Sequence, residues 1–176
     1  MNKKASLICF AVLSLVDGLR TLRAENSVNA IPPIVVGRWT ISIARDEGGR
    51  FMDCSARAIA PDSRSGIDIS ILANANVWLT LTDASWQFGK ESIPVHLRVD
   101  DYDLGPRTMN PIEAQSGYIN LGNLGSNRNM QMALEAGSKL EAIIGSDVKT
   151  FSLKDIDKAY GELINCAMSG IRRPGG

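Results

Sequence analysis

The chain has 176 residues, 22% of them charged and 44% hydrophobic, with a mean hydropathy of −0.03. This composition excludes a disordered, collagenous or polytopic membrane protein and points to one globular domain. Nineteen basic residues balance nineteen acidic ones, so no global field favours nucleic acid, and the single histidine, His96, excludes sites built on two imidazoles such as the His-Glu-x-x-His zinc motif.

At the start of the chain, Lys3 and Lys4 precede an uncharged, mostly apolar run over residues 5–16, and Asp17, Arg20 and Arg23 follow. The pattern predicts a secretory signal peptide over residues 1–24. A helix of that length spans roughly 18 Å, short of the ~30 Å hydrocarbon core, so no membrane-spanning anchor is expected after cleavage. Cleavage after Ala24 puts Leu22 at the minus-three position and cleavage after Ala30 puts Val28 there, so the signal ends at 24 or as late as 30. The expected location is periplasmic or secreted. Without residues 1–24 the chain keeps fifteen basic and eighteen acidic residues, a net charge of −3, and only Cys54 and Cys166. In an oxidising compartment two cysteines without a C-x-x-C spacing are expected to form one intramolecular disulfide.

Residues 35–100 have the period of β-structure. Trp39, Ile41 and Ile43 alternate with polar or small residues, as do Ile67, Ile69 and Ile71, then Val77, Leu79 and Leu81, then Val95, Leu97 and Val99. A further strand over 51–59 carries Cys54, Ala56 and Ala58 on one face. Gly- and Pro-rich breaks separate these strands at hairpin-length intervals, which points to antiparallel pairing. Trp78 stands on the threonine face of its strand. Residues 101–111, rich in Asp, Gly and Pro, read as a loop, and 117–121 resumes a strand.

The second half changes period. Met130, Ala133 and Leu134 fall at helical spacing within 127–136, with Ser126 as a candidate cap and Gly137 beyond the end. Strands are predicted over 139–144 and 148–151. A terminal helix follows Ser152, with Ile156, Ala159, Tyr160, Leu163 and Ala167 along one stripe and Cys166 near its end. A bond to Cys54 would therefore dock this helix on the sheet. The fold class is mainly β (β-rich α+β): one domain over 35–168, an antiparallel sandwich or partly closed barrel of seven or eight strands with one short helix and a C-terminal helix. Its expected core includes Ile43 and Ile143, and residues 169–176 are expected to form a flexible tail.

Three local patterns, Ala136-Gly137-x-Lys139-Leu140, Phe151-Ser152-Leu153 and the helix with Ala159 and Leu163, give the chain a family likeness. Over residues 37–167 it resembles the invasion-associated locus B proteins and related small exported proteins of Alphaproteobacteria. The resemblance implies a β-rich envelope protein associated with host-cell entry or colonisation, with no catalytic site to carry over.

Motifs that carry chemistry are mostly absent from the sequence. Phe88-Gly89-Lys90-Glu91-Ser92 lacks the upstream glycine of a phosphate loop, where Ala84 stands, and Glu91 replaces Ser or Thr. No Gly-x-Ser-x-Gly elbow occurs, and His96 alternates out of its strand's apolar face. Asp100, Asp101 and Asp103 could offer oxygens to a hard cation, but the set lacks a later bidentate acid, and solvated strand-end charge explains it better. No cofactor is expected. Trp78, Trp86, Phe88 and Tyr102 are candidates for a partner-binding surface, against the alternative of a second small core. The functional expectation is a non-enzymatic exported envelope protein that binds a protein partner, with a link to host interaction. The alternative is a small exported hydrolase or metal-dependent enzyme using the loop from Asp100 to Asp103.

Overall fold

The computed structural model describes residues 31–126 and 128–171, so the expected signal peptide lies outside the described residues. Within them the chain forms β1 (Ile34–Val36), β2 (Trp39–Arg45), β3 (Phe51–Ile59), β4 (Ser65–Leu72), β5 (Asn76–Asp83), β6 (Ile93–Val99), β7 (Tyr102–Glu113) and β8 (Ser116–Asn123). Helix α1 (Arg128–Ala136), β9 (Lys139–Ile144), β10 (Asp147–Ser152) and helix α2 (Ile156–Ile171) complete the order. The ten strands make one antiparallel sheet, β1-β2-β3-β4-β5-β8-β7-β6-β9-β10, whose ends at β1 and β10 do not pair with each other. No described helix is long and apolar enough to cross a membrane.

Alternation places one face of β2 to β6 and of β8 in the core, and the bulged β7 adds Leu104 and Met109. Ile41 stands opposite Ala56, Ala56 opposite Ile69, Ile69 opposite Leu79, Leu79 opposite Ile119 and Ile119 opposite Met109. All six are buried. Because side chains alternate with a period of two, slipping any of these strands by one residue would turn its apolar row outward, which pins the register. Ile43 and Ile143, expected in the core, are only half-buried. Ile143 pairs with His96 on the outer face, while its neighbour Ala142 faces inward beside Leu97.

Both helices cover the inner face. On β3 the inward residues are small, Cys54, Ala56 and Ala58, and α2 lies against β2, β3 and β4 where they leave room. Gly170 abuts the Phe51 ring closely enough that a Cβ there would overlap it. The helix thus runs through Ile171, past the expected boundary at 168, because its last turn is packed. Cys54 and Cys166 are disulfide-bonded with Cα atoms 6.1 Å apart, inside the range a bridge requires.

Two further differences from expectation have local causes. Residues 101–111 form a strand. Asp100 and Asp101 make a two-residue turn between β6 and β7, with Asp100 at φ 48, and the Gly105 backbone at φ 76 accompanies a bulge between Leu97 and Arg98. Pro106 lies beside that bulge and Pro111 beside another, the positions at which an interior strand tolerates a residue without an N–H. The second difference is topological. β5 pairs with β8 rather than β6, so the connection over residues 84–92 crosses the end of the β7–β8 hairpin. Phe88 N–H donates to the Ala114 carbonyl at 2.7 Å, and Gln115 Nε2 donates to the Ala84 carbonyl at 3.1 Å, fastening the crossing to that hairpin.

The far end of the sheet curls back. β10 comes against β4, Lys149 Nζ lies 3.8 Å from Asp83 Oδ1, and the Trp39 indole N–H donates to the Lys154 carbonyl at 2.8 Å. The result is an open, curled antiparallel sheet with one short helix and one C-terminal helix, the mainly β fold the sequence suggested, built from ten strands rather than seven or eight.

Candidate functional site

The four candidate aromatic residues do not share a surface. Trp86 is 4% exposed and sits on the crossing connection, its ring centroid 4.8 Å from Phe88 and 6.2 Å from Phe151 of β10. These rings plug the end of the curled sheet, with Phe88 half-buried against the same core. Trp78 stands on the outer face of β5, where it stacks on Tyr118 of β8 with centroids 4.6 Å apart. Only Tyr102, 48% exposed at the β6–β7 turn, presents a ring broadly to solvent. It borders an open groove of about 470 Å³ between that turn and α1, lined also by Met132, which is 55% exposed.

The acidic trio is divided among structural tasks. Asp100 accepts hydrogen bonds from Ser138 Oγ at 2.6 Å, Ser138 N–H at 2.9 Å and Lys139 N–H at 3.2 Å, tying the β6–β7 turn to the segment between α1 and β9. The Ser138 hydroxyl, with these backbone donors, holds the Asp100 carboxyl below its ordinary range. Asp103 accepts from the Gly105 N–H at 2.7 Å and lies 2.7 Å from His96 Nε2; the Gly105 bond leads in lowering its pKa. Asp101 is exposed. No group of three His, Cys, Asp or Glu side chains among the described residues could hold a metal ion. Asp100, Asp101 and Asp103, the expected alternative site, thus form no three-ligand metal group among the described residues.

Beside this turn, Glu141 is 7% exposed although it projects from the outer face of β9. Lys139 Nζ donates to its Oε1 at 2.9 Å and Arg98 Nε to its Oε2 at 2.9 Å. Those bonds, Lys139 first, lower its pKa. The triad links β6 to β9 and satisfies the carboxylate rather than leaving it poised for proton transfer.

A second groove, of about 410 Å³, lies on the outer face over β4, β5 and the β7–β8 hairpin, and sequence reading did not find it. Asp68 lines it, in register with Arg57 on β3 and Thr80 on β5, and Ser70 Oγ donates to Asp68 Oδ1 at 2.8 Å. Burial pushes the Asp68 pKa up, and it also raises that of Asp53 on the same face. The polar half of an alternating strand ordinarily reads as solvent-facing surface, which concealed the groove. One signal was present: an aspartate between two isoleucines in mid-strand, a position where aspartate is disfavoured.

Fold and surface together define, among the described residues, a small β-rich protein built on one curled antiparallel sheet, with helices on one face, a disulfide staple and the grooves over α1 and over β4 and β5. A crystal structure of invasion associated protein b from Bartonella henselae shares this fold, with a TM-score of 0.55 and 20% sequence identity over 79% of this chain and 99% of that one. The chain thus has an invasion-associated locus B-like fold, in agreement with the resemblance read from its helix and strand motifs. No family model and no curated protein sequence matches the chain.

Proposed function

We propose that this chain is a non-enzymatic, exported envelope protein that binds a protein partner, with a link to host interaction. The observation that carries the reading is the fold shared with invasion associated protein b along nearly the whole of that protein. The lysine-led apolar run over residues 5–16 supports export, and the two-cysteine staple suits an oxidising compartment. Of the candidate aromatic residues, Tyr102 is the anchor best placed for a partner, since it stands exposed beside Met132 at the rim of the groove against α1.

Affinity capture from the native envelope tests both parts of this reading. The tagged protein should begin near Glu25 or Ile31 by N-terminal sequencing, and it should retain a discrete partner that Tyr102→Ala releases. Recovery from the cytosol with Met1 intact would refute export. Retention of the same partner by Tyr102→Ala and Met132→Ala alike would refute the surface.

A further inference from the structure

The outer-face groove combines features that a merely solvated sheet surface does not need. Its volume of about 410 Å³ falls within the range of roughly 300–1,000 Å³ typical of small-molecule sites. Asp68 is held there by Ser70, with Arg57 in register beside it, so one carboxylate and one guanidinium stand together at one wall. Thr80 pairs with Tyr118 and Thr82 with Ser116 across β5 and β8, and the hydroxyls of Thr80, Thr82 and Ser116 make no hydrogen bond among the described residues. The stacked Trp78 and Tyr118 stand on the same face, Trp78 directly opposite Ser70.

This inventory discriminates among ligands. An anion would meet Asp68 and Glu113, a simple cation would meet Arg57, and an apolar ligand would leave the hydroxyls and the carboxylate without partners. A polyhydroxylated ligand meets none of these penalties, because each of its hydroxyls both donates and accepts, as the lining does. We infer that the groove over Asp68, Ser70, Thr80, Thr82 and Ser116 binds a short neutral carbohydrate, with Asp68 and Arg57 gripping adjacent sugar hydroxyls.

The full exported chain, titrated with cellobiose, maltose, lactose and chitobiose, tests this by saturation-transfer NMR and tryptophan fluorescence. Trp39 and Trp86 are buried and Trp78 is half-buried on the outer face of a strand that lines the groove, so emission is the second readout beside the NMR titration. At least one sugar should bind, and Asp68→Asn and Thr80→Val should each weaken it about tenfold, the loss expected for a hydrogen bond to a charged or well-placed polar group. Met132→Ala, in the other groove, should leave the affinity unchanged. Thr80→Val keeps the test open if Asp68→Asn misfolds. Failure of every sugar to bind, affinity unchanged in both groove variants, or binding of spermidine in place of sugar would each overturn the inference.

Discussion

Asp68 and Asp100 are the same residue type with opposite effects on stability, and the difference is in what surrounds each carboxylate. Asp68 is partly buried with one hydroxyl donor, and its pKa is raised by desolvation; Asp100 sits at a turn with hydrogen bonds from Ser138 and Lys139, and its pKa is lowered. For Asp68 the folded state binds its proton more readily than the unfolded chain, so its charge costs stability above the raised folded value. That cost disappears as pH falls to the ordinary 3.8. Asp100 follows the reverse course: its contribution is in place above 3.8 and is lost as pH falls through the depressed folded value. Asp68→Asn should therefore stabilise the protein at neutral pH by on the order of 0.5–1 kcal/mol, the size of a surface-charge optimisation, and the gain should fade toward acid pH. Asp100→Asn keeps a residue suited to positive φ but weakens the acceptor, and should destabilise at neutral pH with the deficit closing in acid. Urea unfolding at a series of pH values measures both, and parallel pH profiles for the two variants would contradict the assignment.

At the scale of single elements, glycine shows how packing decides the sign of one substitution. Gly137, after α1, leaves no space: a Cβ would overlap Val99 and approach the Ala133 carbonyl at 2.8 Å and Leu153 at 3.2 Å, and Val99 and Leu153 are themselves buried. Gly161 lies within α2 with nothing inside 4 Å of its added Cβ. Gly137→Ala should cost about 1–3 kcal/mol through overpacking, while Gly161→Ala should gain about 0.5–1 kcal/mol from helix propensity, both read by thermal unfolding. The elements most legible in the sequence were those whose pattern a single buried face enforces: β3, β4, β5 and β6 alternate because each meets the same core. β7 escaped because its turn, bulges and prolines carry the residue types of a loop, and a strand made of Asp, Gly and Pro is held by neighbours on both sides rather than by propensity. Trp86 was legible as an aromatic but not as a plug, since its burial follows from a crossing connection that no local pattern encodes. The acidic trio likewise looked like a cluster because its members are close in sequence, whereas the turn sends them to Ser138, to solvent and to His96.

The whole molecule depends on one covalent link between its sheet and its last helix. The disulfide joins residues 112 apart, and the chain-entropy account gives such a loop roughly 4–5 kcal/mol of stabilisation by restricting the unfolded ensemble. The helix also has its own docking face, Ile156, Ala159, Tyr160, Leu163, Ala167 and Gly170, so loss of the bridge should not release it outright. Tyr160 adds little beyond apolar contact: its hydroxyl is buried without a hydrogen-bond partner among the described residues, and desolvation pushes its pKa up to about 12. Cys166→Ser should lower unfolding free energy by about 3–5 kcal/mol and leave the native fold in place at moderate temperature. Hydrogen exchange should show the amides of α2's last two turns losing protection before those of β3 and β4, because Ile164, Ala167 and Gly170 against Phe51 then hold that end without the covalent link. In unfolded, non-reduced protein, thiol titration should count none in the chain cleaved at 24 and one, from Cys9, in the uncleaved chain. Two more thiols than these in either form would remove the bridge, and equal loss of protection across helix and strands would mean that helix and sheet unfold as one unit.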